Sequence, residues 1–388
     1  MKGISLLVGS ILLIMAAFVA IPSLALCSSK AMPPKPEMFV WASMDVATSI
    51  YIQYSAVGEG ILKKFRIKLR AVPVRAEVAR ITLMRTGQVH AGMVSASTYF
   101  VWKGTEAFAS RAWGPQPIRT VWLVGRKEPS SAVTRKDSGI KTVDDIKGKR
   151  VARYIGSPSL SSMIDAVLAF ANLTWDDVIP VKVGSYSEAL KQMIAGRLDV
   201  CHAAASSSLT IQLAASPGGL YWIPLPIENK EGWKRYKKVN PIYYPIRPKY
   251  GVNIDRNNPP WLATGAYPTI YAYDTIDEDI VYWMTKAIAE SFPVYKDAIK
   301  PNMEWWSLES FLSIEALTPY HKGTIRYIKE KGLWTDSMEA RQRMLIEKEK
   351  ELKAAWENTI READEKKMSD KKFPAFWLKR LEALEKKL

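Results

Sequence analysis

Only two cysteines and three histidines occur in 388 residues. Cys27 sits at the end of the N-terminal apolar stretch, which leaves Cys201 unpaired and excludes a disulfide framework. Cys201 lies in the apolar run "LDVCHAAA" and reads as a small buried hydrophobe. His90, His202 and His321 are far apart and lack clustered ligands, so no metal site of Cys/His spacing is expected. There is no glycine-rich phosphate loop, and "VGSYSEA" lacks the glycine-serine-glycine elbow of a hydrolase. No acid or nucleophile stands beside His321 in "TPYHKG", which argues for a structural histidine and against a general base. The reading is therefore of a non-enzyme without a cofactor. Acidic residues are also short, 39 against 55 Lys and Arg, giving a formal charge of +16. The lysines are spread along the chain, so nucleic acid is not an expected partner, and the excess reads as solvated surface or a preference for anions.

Beyond the first 26 residues no long apolar run is present. Lys2 followed by the stretch Ile4–Leu26 has the form of a secretory signal. "Ser29-Lys30-Ala31" is a cleavage site that would make residues 1–31 a signal peptide and the mature protein periplasmic. Retention of residues 4–26 as an anchor, or acylation of Cys27 in "Leu24-Ala25-Leu26-Cys27", stays open.

What remains is 48% apolar, enough for a sizeable core, and its strand-like and helix-like runs alternate from about residue 38 to 334. Strands are expected at 38–44, 69–74, 91–95, 119–125, 149–155, 178–184, 198–205, 219–226 and 269–274. Helices are expected at 48–65, 77–86, 160–171, 187–195 and 277–292. The pattern is α/β with mostly parallel strands. Residues 227–268, rich in Pro, Tyr, Lys and Asn, read as a long crossing loop. Residues 335–388 differ in kind: Glu, Lys, Arg, Ala and Leu dominate, with 14 basic and 12 acidic side chains. Two helices meeting at 369–374 are expected. Trp377, Leu381, Leu384 and Leu388 form one apolar stripe that packs back on the body or else docks a protein partner.

The stretch "SGIKTVDDIKGKRVARYIGSPSLSS" (138–162) runs a strand into Ser157, Ser159, Ser161 and Ser162 where a helix begins. Helix N-termini expose unpaired N–H groups and partial positive charge, so this turn suits a carboxylate, with plain capping as the simpler use of one serine. Since α/β ligands lie beyond the carboxyl ends of strands, Ser43, Met44, Asp45, Ser95, Ser206 and Ser207 are candidates around one cleft. Tyr51 and Tyr250 offer rings to cover a solute. Arg80 is the candidate charge partner, its alternative being an ion pair with Glu77 one turn back.

"KDSGIKTVDDIKGKRV" (136–151), "SYSEALKQMIAGRLDV" (185–200), "ARITLMRTGQVHAGMVSAS" (79–97), "YYPIRPKYG" (243–251), "DEDIVYWMTKAI" (277–288) and "TPYHKGTIRYIKEKG" (318–332) together resemble the TAXI family, solute receptors of TRAP transporters. The resemblance covers about residues 38–334. It implies a two-lobed type II periplasmic binding protein fold: lobe I from 33–128 and 245–334, and lobe II from 129–244; residues 335–388, outside the resemblance, read as a C-terminal α-helical extension. It implies a receptor that traps a small organic or amino-acid-like anion between its lobes and delivers it to TRAP-type permease subunits. The chain departs from the family's pattern at "SMDVATS" (43–49), where a glycine-rich turn is usual, and at Ser157-Pro158-Ser159-Leu160. It departs again at Arg80, where asparagine is frequent, at Glu77, where the residue is small, and at Lys249, where it is glycine.

Overall fold

The computed structural model describes residues 32–46, 48–93, 97–125, 128–300 and 302–386. The expected signal segment and Ser95 lie outside them. The chain runs β1 (Met38–Ser43), α1 (Ser49–Phe65), β2 (Lys68–Pro73), α2 (Glu77–Arg85), β3 (Ala91–Met93), α3 (Ser97–Lys103) and β4 (Ile118–Leu123). It continues with β5 (Ser130–Thr134), β6 (Arg150–Tyr154), α4 (Pro158–Phe170), β7 (Ile179–Val183), α5 (Tyr186–Ile194), β8 (Cys201–Ala204), α6 (Ser208–Ala215), β9 (Tyr221–Trp222) and α7 (Lys230–Val239). It ends with β10 (Tyr244–Ile246), β11 (Leu262–Thr264), β12 (Thr269–Tyr273), α8 (Glu278–Tyr295), α9 (Leu308–Leu312), α10 (Lys322–Glu330), α11 (Asp336–Glu365) and α12 (Phe373–Glu385).

The first sheet has the order β2-β1-β3-β12-β4. β1 pairs in parallel with β2 and β3, whereas β12 is antiparallel to both β3 and β4. All residues of β4 and β12 are buried, as expected of strands covered on both faces. The second sheet repeats this order. β6 pairs in parallel with β7 and bridges Val200, just ahead of β8; β5 then lies antiparallel between β8 and β9. In each sheet the antiparallel strand is supplied by chain arriving from the other: β12 returns to the first sheet and β5 leads into the second. The crossings are tied side by side, with Thr264 Oγ1 donating to Glu128 O at 2.7 Å and β10 pairing with β11.

Residues 227–268 are not one loop. Asn229 Oδ1 accepts from Gly232 N at 2.8 Å and caps α7, which buries Trp233 and Tyr236 against α4. Its apolar face is two aromatic side chains amid lysines, too sparse to show as a helical stripe. β5, α3 and α6 also form without having been expected: β5 is buried throughout and shows no alternation, and α3 and α6 are too short, at seven and eight residues, to show a helical period.

The C-terminal helices lie on the first-sheet half. Trp377 Nε1 donates to Gly104 O at 2.7 Å and its ring meets Trp356 edge-on. Glu349 accepts from Arg119 at 2.6 and 2.7 Å and from Trp102 Nε1 at 2.9 Å, while Arg111 pairs with Asp364. Trp377 and Leu381 are buried. Lys35–Leu388 form one compact unit. Among the described residues no helix is long and apolar enough to cross a membrane.

Candidate ligand-binding site

A small cavity of about 30 Å³ lies between the sheets. The first-sheet half contributes Met44, Thr48, Ser49, Arg80, Met93 and Tyr267. From the second come Ser130, Ser159, Leu160, Met163, Tyr186, His202, Ala204, Ser207 and Tyr243. The residues come from strand ends and the helix starts after them, where α/β ligands bind.

Among the described residues, Arg80 is the one formally charged side chain lining this cavity. Its side chain is 1% exposed. Nη1 donates to Val74 O at 2.8 Å and Arg75 O at 3.2 Å, and Nε donates to Met93 O at 3.3 Å. Burial lowers its pKa, opposed by the neighbouring Glu77. The carbonyls orient the guanidinium without neutralising it, so a buried positive charge faces the cavity. A buried charge only partly offset by Glu77 is costly, and a bound anion would relieve that cost.

The opposite wall is neutral. Ser130 Oγ lies 3.0 Å from His202 Nε2 and 3.4 Å from the Tyr243 hydroxyl. Tyr186 lies beside them, its hydroxyl accepting from Ala204 N at 3.1 Å and lying 3.1 Å from Thr210 Oγ1. Burial raises the Tyr186 pKa, so the phenol keeps its proton. Met44, Met93, Met163 and Leu160 supply apolar surface, and the Tyr267 hydroxyl rests 3.1 Å from Met44 Sδ.

Met44, Arg80, Ser159 and Ser207 are the sequence candidates that line the cavity. Arg80 makes no surface ion pair with Glu77. Glu77 is fully buried, and its Oε2 accepts from Ser159 Oγ at 2.7 Å, Ser159 N at 3.1 Å and, at the outer limit, Ser157 Oγ at 3.4 Å. The serine turn is thus occupied from within. Ser161 Oγ donates to Tyr154 O at 2.9 Å and Ser162 Oγ to Ser159 O at 2.9 Å. Ser43 is buried behind the cavity with an unpartnered Oγ. Asp45 spans to the second half, accepting from Ser187 Oγ at 3.3 Å and pairing with Arg75 at 3.3 Å. Tyr51 sits on α1, outside the lining. Ser206 donates to Glu128 at 2.6 Å, away from the cavity. Tyr250 is 41% exposed and leans on Trp305, so it covers nothing in the cavity.

Sequence reasoning missed Thr48, Ser49, Met93, Ser130, Leu160, Met163, Tyr186, His202, Tyr243 and Tyr267. Tyr243 opens the same "YYPIRPKYG" segment whose other end supplied Tyr250, and Tyr186 directly follows the α5 cap Ser185. Ser130 depends on β5, which carries no sequence signal. Among the described residues no group of three His, Cys, Asp or Glu gathers as for a metal.

Comparison with solved structures finds outline similarity at low identity. The periplasmic aliphatic sulphonate binding protein SsuA of Escherichia coli is 13% identical over 80% of this chain and 94% of its own, with a TM-score of 0.42. SsuA of Xanthomonas axonopodis pv. citri, bound to MOPS, is 14% identical over 81% and 96%, at 0.41. An ancestral arginine-binding protein bound to glutamine is 12% identical over 70% and 99%, at 0.42. The mixed α/β architecture with C-terminal helices agrees with the fold class expected from the sequence. A family model settles the membership: it matches residues 48–332, most of the chain, and the protein belongs to the NMT1-like family.

Proposed function

We propose that the protein is an extracytoplasmic solute receptor that takes a small organic anion into the cavity between its two sheets and delivers it to a membrane permease. The TAXI branch of TRAP-type transporters is the class its motif set fits, with the lobes divided near residues 128 and 245 and the protein exported by residues 1–31. The observation that carries this reading is the buried Arg80 guanidinium, held by three backbone carbonyls and facing a cavity with no carboxylate among its described lining residues. With Nε and Nη1 held by the carbonyls, the Nη2 donors can meet a carboxylate or sulfonate oxygen, and the neutral hydroxyls opposite complete a polar wall. The sulfonate- and amino-acid-binding neighbours are consistent with such a ligand. The other reading, an assembly protein acting through residues 335–388, finds Trp377 and Leu381 of that segment's apolar stripe already buried against the body, while Leu388 lies outside the described residues.

The test is a thermal-shift screen of the full chain against mono- and dicarboxylates, sulfonates, amino acids and sugars. A ligand of the folded state at a hundred times its Kd adds about 2.7 kcal/mol of stability. A rise with one class of anion, lost in Arg80→Met, is the expected result. Silence across the panel, with no co-purifying small molecule in native mass spectra, contradicts the proposal.

A further inference from the structure

Glu77 opens α2 in the first-sheet half, yet every hydrogen bond of its carboxylate goes to the first turn of α4 in the second. Its backbone N–H also donates across, to Gly156 O at 3.1 Å. The side chain is fully buried, and Oε1 has no partner. Arg80, one turn along, spends its donors on carbonyls instead. Asp45 repeats the arrangement in weaker form, meeting Ser187 in the first turn of α5. A helix N-terminus presents about half a positive charge and free N–H groups, which is where an anionic ligand docks. Here a side chain of the protein holds that position.

We propose that Glu77 is a built-in anion: it fills the carboxylate position at the N-terminus of α4, so that the two halves close on an internal carboxylate and the remaining cavity accepts a small monoanion and rejects a dianion. The choice of ligand charge rests on the receptor reading; the internal closure does not. With Ser159 N and the serine hydroxyls of α4 taken, Arg80 is the one cation among the described lining residues. A second carboxylate would meet only the neutral hydroxyls and His202 of the opposite wall, with no second cation among the described lining residues to offset its charge, and Glu77 would repel it. The cavity suits one carboxylate or sulfonate on a short apolar body.

The experiment uses the full chain and acetate as the probe. Wild type, already closed on Glu77, is expected to keep its radius of gyration in millimolar acetate, whatever rise in melting temperature acetate bound at Arg80 gives. Glu77→Ala leaves a hole at the α4 N-terminus, so it is expected to be more expanded by small-angle scattering and to contract and melt higher when acetate is added. Glu77→Gln, close in shape, guards against misfolding: hydrogen exchange across residues 157–161 should be at least several-fold faster than in wild type. A Glu77→Ala protein as compact as wild type and indifferent to acetate overturns the proposal, and so does unchanged exchange in Glu77→Gln. Glutarate should stabilise Glu77→Ala and not wild type; wild type stabilised equally by glutarate and butyrate overturns the charge restriction. If wild type binds no acid at all while acetate still closes Glu77→Ala, the receptor reading fails and the built-in anion stands.

Discussion

The two sheets share one strand order but divide the chemistry between them. The first-sheet half holds the formal charges that meet the cleft region, Arg80 in the cavity and Glu77 and Asp45 reaching across. The second supplies neutral hydroxyls, an imidazole and two helix N-termini. The first half also carries the C-terminal helices, anchored at Trp102, Gly104, Arg111 and Arg119. A duplicated topology therefore does not imply duplicated roles. Charge is placed on the better-braced half, while the other half provides dipoles that become useful when the two meet.

Four changes probe that division, from the largest effect to the smallest. Trp377→Ala should cost about 3–5 kcal/mol of stability, since it removes a fully buried indole and its bond to Gly104 O. Calorimetry should show the loss while ligand Kd stays unchanged; a matching loss of affinity would mean that the extension shapes the cavity. Second is the pH response of His321, which caps α10. Its Nδ1 accepts from Gly323 N at 3.2 Å, its Nε2 lies 3.1 Å from Ile276 O, and burial pushes its pKa down to about 4. Because the unfolded chain takes up the proton more readily, this contribution is full above pH ~6.5 and is lost as pH falls toward 4. At 1.36 kcal/mol per unit the loss is about 3 kcal/mol. His321→Asn, which retains a capping oxygen, should flatten that slope in melting curves, and an unchanged slope would assign it to other groups.

Third, Arg80→Met should weaken anion binding by roughly ten- to a hundredfold, the worth of a charged hydrogen bond of about 1.5–3 kcal/mol. Titration calorimetry checks this, and retained affinity would move the anion to the neutral wall. Smallest is Tyr186→Phe, which deletes one hydroxyl bonded to Ala204 N and Thr210. A change of about 1 kcal/mol, under about tenfold in Kd, is expected. A larger loss would show that the second half recognises the anion as strongly as the first.

Where apolar periodicity and turn chemistry agreed, the sequence was legible. β1, α1, β2, α2, β6, α4, β7 and α5 stand within a few residues of expectation because strand, cap and stripe signal together. β5 and α7 were hidden, the first by an all-buried run without alternation and the second by an apolar face of two aromatic side chains. Arg80 could be singled out as a cation after a strand-turn-helix, but not its three carbonyl partners, which depend on how β3 and the turn before α2 fold back. The serine turn could be recognised as an anion site; that Glu77, 80 residues earlier, already fills it is a tertiary fact. Tyr250 and Tyr243 show the same limit, since nothing local tells which end of "YYPIRPKYG" turns inward.

The most direct measurement of the central claim is a crystal structure of the protein with the acid that stabilises it best. The account predicts a carboxylate or sulfonate oxygen within hydrogen-bond distance of the Arg80 guanidinium, with Glu77 still on Ser159. An anion bound away from Arg80 would contradict it.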